Sequence, residues 1–419
     1  MTTVCSTGKE RILRHTAAVL GVALALRALV AWMVMTHYAP EWLFTRGMEM
    51  TLLAKSLLAG QGLSSPFGVP TGPTAFIAPA YPVLLAAIFK IFGVETRAAE
   101  AVVLAAQTAL NLATIALMMY VARRLFSERA AVLAGLVWAC SPPLLWMPTI
   151  LWETSLSAFL LMALVALAIE WTEDPAKQMW PLPGASCGVA ALVNPALLLS
   201  ALAIAAWVWF RLRRSAGWMP LTAVLAFAVV FSPWPIRNAR VFHAFIPLRT
   251  TVGFELWMGN RPGGAGYLDE SLFPTYNQQE LHEYIQRGEL GYTAWKEQLA
   301  REYIAANPGV FARLTAVRAV RFWSGTGTRH GSSFYALHAL ATTLFGFAGL
   351  WLMRRRHAIM LLFALPMLFF PLPYYLTHAE FRYRIVIDPL MTVLAAYAAC
   401  EVYRVVARMI ERQGSGARD

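Results

Sequence analysis

The chain has 419 residues, of which 58% are hydrophobic and only 14% are charged, and its mean hydropathy is +0.53. That composition is too apolar for a soluble protein of this length. The formal net charge of +12 would suit a nucleic-acid-binding protein, but membrane proteins also concentrate Lys and Arg in their cytoplasmic loops. The four cysteines show neither a disulfide framework nor a metal-ligand spacing; they are Cys5, Cys140, Cys187 and Cys400.

The N-terminal stretch "KERILRHTAAVLGVALALRALVAWMVM" begins with a basic flank and continues as a long apolar run. The run is longer than the core of a signal peptide, and no clear small-residue cleavage site follows it. We therefore interpret it as an uncleaved first transmembrane span.

Further apolar runs continue along the chain, and a span needs about 20 mostly apolar residues. They predict an all-α polytopic membrane protein with about ten transmembrane helices. The fifth run is short and interrupted by Gly and Pro, so the fifth and sixth runs are expected to form a tight hairpin that turns at Asn194. The predicted spans are approximately 17–36, 99–121, 130–147, 153–171, 182–194, 195–210, 217–235, 334–353, 357–376 and 385–405.

Basic residues set the orientation. With a cytoplasmic N-terminus, the proposed cytoplasmic segments carry 17 basic residues and the short outer loops carry two, Arg382 and Arg384. This bias supports the orientation and explains much of the positive charge without a nucleic-acid partner. The cytoplasmic set is Lys9, Arg11, Arg14, Arg123, Arg124, Arg129, Lys177, Arg211, Arg213, Arg214, Arg354, Arg355, Arg356, Arg404, Arg408, Arg412 and Arg418.

The topology divides the chain into unequal parts. A first outer loop at 37–98 contains an amphipathic pattern, "MEMTLLAKSLLAG", and a short apolar stretch at 79–93, both expected to be interfacial helices. If 79–93 instead crossed the membrane, the basic segment at 122–129 would lie outside and break the charge pattern. The divisions are a cytoplasmic N-terminus at 1–16, a membrane domain at 17–235, a polar outer segment at 237–333, three final spans at 334–405 and a cytoplasmic tail at 406–419.

Charged residues from distant parts of the sequence are predicted to meet at the outer face. They are Glu41, Glu49, Glu153, Arg237, Arg382 and Arg384. Ionisable groups near membrane depth are costly and usually functional. Arginine forks match phosphate oxygens, and a carboxylate can take a proton from a hydroxyl. The set therefore suits an anionic, lipid-linked substrate, with Arg384 expected to make the deeper contact and Arg382 the outer one.

Each of these residues also has an ordinary structural explanation. Glu49 lies on an amphipathic helix, where most acids are simply solvated. Glu153 could be a helix-start acid favoured by the helix dipole. Arg237 and Arg382 could be interfacial anchors that extend to lipid headgroups. These alternatives stay open on the sequence alone.

Three further residues are candidates for an acceptor or sugar pocket: Trp257, Asn260 and Tyr267. Aromatic residues near an interface are nevertheless common. Arg27, within the first span, is expected to pair with a carboxylate of the bundle or to reach the interface. No phosphate-binding glycine loop, zinc motif or Ser-His-Asp signature is present, so no metal site or cofactor is predicted, and a need for a divalent metal is left open.

Several segments together resemble the GT-C superfamily of membrane glycosyltransferases, in particular protein-mannosyltransferase and aminoarabinose-transferase-like proteins of glycosyltransferase family 39. They occur in family order and cover most of residues 10–405. The segments are "AKSLLAGQGLSSPFGVPTGPTAFIAPAYPVLLAAIFKIFG", "MYVARRLFSERAAVLAGLVWACSPPLLW", "WETSLSAFLL", "SPWPIRNARVFHAFIPLRTTVGFELWMGN" and "FRYRIVIDPL".

The resemblance implies an inverting transferase that takes a sugar from a polyprenyl-phosphate donor at the outer face of the bacterial cytoplasmic membrane. It implies a carboxylate base in the first outer loop and basic residues on the lipid phosphate. Here Arg46 lies near the place of the family's Asp, which leaves Glu49 as the base. The family's lysine before a double proline is absent from "FIAPAYP", so phosphate binding is assigned to Arg237, Arg382 and Arg384.

The resulting hypothesis has Glu49 deprotonating an acceptor hydroxyl while Glu153 orients the acceptor or a basic residue. The expected partners are the bilayer, a polyprenyl-phosphate sugar and an acceptor that is a lipid, a glycan or a protein. The rival hypotheses are a transporter of lipid-linked or anionic substrates and a non-catalytic membrane scaffold. Transporters favour internal repeats and midplane sites formed by broken helices, and here only the 182–210 hairpin has that character.

Overall fold

The computed structural model describes residues 2–174, 179–326 and 333–416. The proposed cytoplasmic residues Lys177 and Arg418 lie outside these ranges. Within them the chain forms helices and no β-strand longer than an isolated bridge. The α-helices are α1 (Thr2–His37), α2 (Pro40–Thr45), α3 (Met48–Leu58), α4 (Ala80–Phe92), α5 (Arg97–Leu125), α6 (Glu128–Cys140), α7 (Pro142–Leu145), α8 (Thr154–Glu173), α9 (Pro181–Val193), α10 (Pro195–Ala216), α11 (Met219–Phe231), α12 (Pro233–Phe242), α13 (Val252–Asn260), α14 (Gln278–Ala306), α15 (Pro308–Ser324), α16 (Ser333–Leu352), α17 (His357–Phe369), α18 (Leu372–Leu376) and α19 (Phe381–Gly416).

Seven helical stretches of the described chain are long and apolar enough to cross a membrane. They are α1, α5, α8, α10, α16, α17 continued by α18, and α19. An eighth is possible if α11 and α12, which meet at 42°, form one bent span. The predicted all-α, multi-span membrane class is therefore confirmed. The count of about ten stays a prediction, because the runs at 130–147 and 182–194 form helices α6 and α9 of 13 residues each.

The break between α9 and α10 falls at Asn194. Its side chain accepts a hydrogen bond from the backbone N–H of Ala196 at 3.0 Å. Pro195 occupies the first position of α10, where a missing N–H costs nothing. The residues that interrupt the apolar pattern are thus the residues that start the next helix.

Helix α19, which has 36 residues like α1, forms the centre of the membrane half. It packs against α16, α6 and α8, and its residues from Ile385 to Leu394 are nearly all buried. Apart from Asp388 and Thr392, the residues of this stretch are apolar, because neighbouring helices surround it. Because the buried part of the helix is held in place, the position of its first turn, next to the predicted outer segments, is also fixed.

Arg27 does not find the expected carboxylate and does not reach the interface. Its side chain is fully buried and contacts the backbone carbonyls of Trp138 at 3.4 Å, Ala139 at 3.3 Å and Ala23 at 3.4 Å. The last carbonyls of a helix have no partner inside the helix. Arg27 therefore caps the end of α6, which stops inside the bundle.

The part of the molecule that is predicted to lie outside the membrane has its own hydrophobic core, built from α2–α4, α13 and the start of α14. The carboxylate of Glu289 joins its parts. It accepts hydrogen bonds from the Thr74 hydroxyl, the Ala75 N–H, the Thr250 hydroxyl and the Tyr284 hydroxyl. Residues more than 200 positions apart in sequence, in the first loop and in the outer segment, are thereby fixed together.

The orientation itself is testable by cysteine labelling in a cysteine-free background. Arg355→Cys is expected to react with a membrane-impermeant maleimide only after the cells are permeabilised, because the arginine bias places this loop in the cytoplasm. Gln61→Cys, at an exposed position of the first outer loop, is expected to react in intact cells. Labelling of Arg355→Cys from outside intact cells would reverse the topology.

Candidate functional site

Two adjoining cavities meet at the first turn of α19 and the loop after α13, and the first turn of α3 lines the smaller one. The smaller has a volume of about 370 Å³ and the larger about 940 Å³. Four residues line both cavities, so the two are neighbours across a shared wall: Leu268, Glu270, Glu380 and Phe381.

The smaller cavity contains Glu49, in the first turn of α3. The N-terminal position favours a negative charge through the helix dipole. The side chain is nevertheless 7% exposed, and its burial raises the pKa of the carboxyl above the ordinary value, against the opposing charge of Arg382. A carboxylate with a raised pKa is a better proton acceptor than an exposed glutamate.

Gly47 fixes the position of this turn. A Cβ atom at Gly47 would lie 2.2 Å from the backbone oxygen of Leu151. Only glycine permits α3 to start this close to the 150–152 loop. Trp152, in that loop, lines the same cavity, so the close approach helps to set the width of the site.

Arg382 enters the smaller cavity from the first turn of α19. Its guanidinium lies 3.9 Å from the centroid of the Trp152 ring and forms an ion pair with Glu380. Backbone bonds hold the start of this helix in place, from the Ala379 N–H to the Gly266 oxygen at 2.9 Å and from the Leu268 N–H to the Ala379 oxygen at 3.3 Å. A cation, two carboxylates and an aromatic ring therefore converge from distant parts of the chain.

Arg384 does not line either cavity. It is fully buried, and its guanidinium contacts Asp388 at 2.7 Å, Thr342 at 3.2 Å and Thr343 at 3.3 Å. Asp388 also contacts His338 at 2.5 Å. The geometry makes Arg384 part of an internal network between α16 and α19.

Arg237 and Glu153 also line neither cavity. Arg237 donates to the backbone oxygens of Thr74 and Leu63, each at 2.8 Å, and so supports the first outer loop. One carboxylate oxygen of Glu153 lies 3.4 Å from the amide nitrogen of Asn194, while the other is buried and has no hydrogen-bond partner within the described parts of the chain.

Of the three predicted pocket residues, only Tyr267 lines a cavity, the larger one. Arg321 lies 3.6 Å above its ring. Trp257 instead packs 3.4 Å from the ammonium of Lys296. Asn260 is buried and accepts from Arg318 at 2.8 Å.

The sequence reasoning did not assign Glu270, Glu380 or Arg46, which all line the smaller cavity. Glu380 stands two residues before Arg382, so an acid beside the paired arginines was an available signal. Glu270 follows the glycine-rich turn, and nothing in the sequence connects it with α3. Within residues 2–174, 179–326 and 333–416, no group of three or more His, Cys, Asp or Glu side chains has the proximity needed to hold a metal ion.

Comparison with known proteins supports the assignment of the fold. Residues 76–236 match the model of the dolichyl-phosphate-mannose-protein mannosyltransferase family. No curated protein matches the chain.

Solved structures of an archaeal oligosaccharyltransferase from Archaeoglobus fulgidus share the architecture. AglB in complex with an inhibitory peptide and a dolichol-phosphate is 16% identical, with a TM-score of 0.54 over 97% of this chain and 52% of that one. The same enzyme tethered to an acceptor peptide is 16% identical, with a TM-score of 0.56 over 94% of this chain and 50% of that one. The chain thus spans about half the length of these oligosaccharyltransferases.

ArnT from Cupriavidus metallidurans, bound to undecaprenyl phosphate, is 15% identical over 91% of this chain and 78% of that one, with a TM-score of 0.39.

Together the family model and the architecture confirm the predicted resemblance to the GT-C superfamily. The chain has the fold of a GT-C-type membrane glycosyltransferase.

The role of Gly47 can be tested with Gly47→Ala. The added methyl group must push α3 away from Leu151, and overpacking of this kind typically costs about 1–3 kcal/mol. We expect a lower unfolding temperature in differential scanning fluorimetry. Gly309→Ala is the control, because nothing lies within 4 Å of its Cβ position. Equal unfolding temperatures in the two variants would contradict the close-approach argument.

The buried contacts of Arg384 with Asp388, Thr342 and Thr343 predict that Arg384→Gln destabilises the protein. Removing one partner of a buried ion pair typically costs about 3–5 kcal/mol, so the unfolding temperature should fall markedly. Arg404→Gln is the matched control on the same helix, because its pair with Glu401 is partly exposed and such pairs contribute about 0–1 kcal/mol. An unchanged unfolding temperature for Arg384→Gln would show that Arg384 has no structural role.

Proposed function

We propose that the protein is a glycosyltransferase that moves a sugar from a polyprenyl-phosphate donor to an acceptor hydroxyl. The observation that carries the proposal is that Glu49 and Arg382 line one cavity, although 332 positions separate them in sequence. A carboxylate of raised pKa and a guanidinium are the two groups that proton removal and phosphate binding require. The dolichol-phosphate bound by a protein of the same fold agrees with this donor class.

The reaction follows from the positions of the two groups. Arg382 holds the donor phosphate and stabilises the negative charge that develops as the bond from the anomeric carbon to the phosphate oxygen breaks. Glu49 takes the proton from the acceptor hydroxyl, whose oxygen forms the new bond to that carbon. Attack from the side opposite the phosphate inverts the anomeric configuration. Polyprenyl phosphate is the leaving group.

The other predicted residues receive supporting roles in this proposal. Arg237 holds the first outer loop through backbone oxygens, and Arg384 anchors α19 through Asp388. Both act on the position of the site rather than on the phosphate. Glu153 lies near the guanidinium of Arg382 and helps to orient the Arg382 side chain.

The larger cavity is proposed to admit the acceptor. Among its lining residues, Arg261 is the one basic side chain, and it is paired with Asp269 at 2.7 Å. Aromatic rings and carboxylates suit sugar hydroxyls as well as polar peptide groups, so the acceptor class remains a glycan, a lipid headgroup or a protein.

The proposed location is the cytoplasmic membrane of a bacterium, with the site on the outer face. The arginine asymmetry of the loops supports this orientation. The rival scaffold hypothesis requires the acids and arginines to lie apart, whereas Glu49 and Arg382 share a cavity. The rival transporter hypothesis requires a midplane site formed by broken helices, whereas the 182–210 hairpin, which has that character, lines neither cavity.

Transfer can be tested directly with the purified protein. A panel of undecaprenyl-phosphate sugars is incubated with candidate glycan, lipid and peptide acceptors, and release of undecaprenyl phosphate is followed by mass spectrometry. The proposal expects release with at least one donor, by transfer or by slow hydrolysis. Binding of the donors with no release in any combination would favour a transporter or a scaffold.

The base assignment predicts that Glu49→Gln preserves folding and donor binding but removes most of the transfer. General-base catalysis typically contributes about 100- to 10,000-fold. Glu41→Gln is the matched control, because Glu41 is exposed on the preceding helix. Loss of transfer at Glu41 but not at Glu49 would move the role to Glu41.

The pH profile supplies a second measurement. Only the deprotonated carboxylate can accept the proton, and burial raises the pKa of Glu49. The rate should therefore fall as the pH decreases through that raised pKa, at a higher pH than for an ordinary glutamate. Glu49→Gln should lose this acid limb along with the activity.

A further inference from the structure

Arg382 has an anionic partner within the chain itself. Its Nε donates to a carboxylate oxygen of Glu380, and both side chains are largely buried, 14% exposed for Arg382 and 7% for Glu380. Glu380 lines both cavities and therefore stands at the wall between them. The pair lies where the proposed function puts the donor phosphate.

This arrangement creates a competition. A phosphate oxygen and the Glu380 carboxylate are both acceptors for the same guanidinium. In a site with little water, two anions around one cation repel each other strongly. The remaining charged groups on the smaller cavity, Glu49, Glu270 and Arg46, add two negative charges and one positive charge, so they do not relieve this repulsion.

We propose that Glu380 is an internal counter-ion that exchanges with the lipid phosphate at Arg382. The carboxylate gives up the guanidinium when the polyprenyl-phosphate group binds, and it takes the guanidinium back when polyprenyl phosphate leaves. This inference rests on the proposed function, because it assumes that the phosphate binds at Arg382.

The exchange has a clear use in the reaction. The donor phosphate is a diester with one negative charge, whereas the released polyprenyl phosphate is a monoester with up to two. A bare guanidinium would therefore hold the product more tightly than the donor. A carboxylate that competes for the same guanidinium weakens product binding and promotes product release.

The geometry allows the counter-ion to be removed without removing Arg382. The Trp152 ring still covers the guanidinium at 3.9 Å, and the amide oxygen of a glutamine can accept from the same Nε. E380Q thus deletes the competing charge and keeps the shape. The expected effect is at least a tenfold gain in affinity for undecaprenyl phosphate, with slower turnover and stronger inhibition by that product.

The experiment measures binding of undecaprenyl phosphate to the full-length protein in nanodiscs by tryptophan fluorescence. Four proteins are compared: wild type, E380Q, R382Q and the control E255Q. Glu255 is paired with Arg249 at 3.3 Å and lines neither cavity, so E255Q removes a carboxylate from a similar ion pair elsewhere. The expected order of affinity is E380Q, then wild type and E255Q together, then R382Q.

The outcomes separate the inference from the proposed function. Weaker binding by R382Q together with no gain in E380Q overturns the counter-ion exchange and leaves the phosphate site standing. Unchanged binding by R382Q overturns the phosphate site itself. A gain in E380Q that persists in the E380Q/R382Q double variant also overturns the exchange, because Arg382 would then not be its cause. If E380Q does not fold, E380S removes the same charge with a shorter side chain and makes the same prediction.

Discussion

The part of the molecule that contains residues 37–98 and the start of α14 depends on one buried carboxylate. Glu289 accepts hydrogen bonds from residues 74–75 of the first outer loop, from Thr250 and from Tyr284. A charge removed from water is tolerated only when donors replace the solvent. These segments therefore cannot separate without leaving a buried charge unsatisfied. The loop that carries Glu49 is held against the outer segment for this reason, and the cavity has a fixed wall.

The second wall comes from the start of α19. The body of that helix is buried among membrane helices, and its first turn is tied through Ala379 to the backbone at 266–268. Arg382 consequently reaches the cavity from a rigid base. A site assembled from rigid elements can hold a phosphate and a proton acceptor at a constant distance and orientation. The buried polar contacts thus hold the proposed catalytic groups in fixed positions relative to the membrane helices.

Arg382 and Arg384 show how position decides the role of identical side chains. Two residues apart on a helix, their side chains leave the axis on roughly opposite sides. One guanidinium meets Trp152 and Glu380 beside a cavity, and the other meets Asp388 inside the bundle. Both guanidinium groups keep their positive charge. At Arg382 this charge is proposed to bind the phosphate, and at Arg384 it supports helix packing.

The sequence by itself determined the membrane class and the GT-C resemblance, because a span needs a continuous run of apolar residues and such runs are visible in one dimension. It also placed Glu49 and Arg382 among the candidates. Only the tertiary structure decided which charged residues meet. Arg237 and Arg384 carry the same charge as Arg382 but contact carbonyls and a carboxylate and line neither cavity. Contacts between distant segments depend on helix rotation and on loop paths, and neither is encoded in hydropathy or in charge bias.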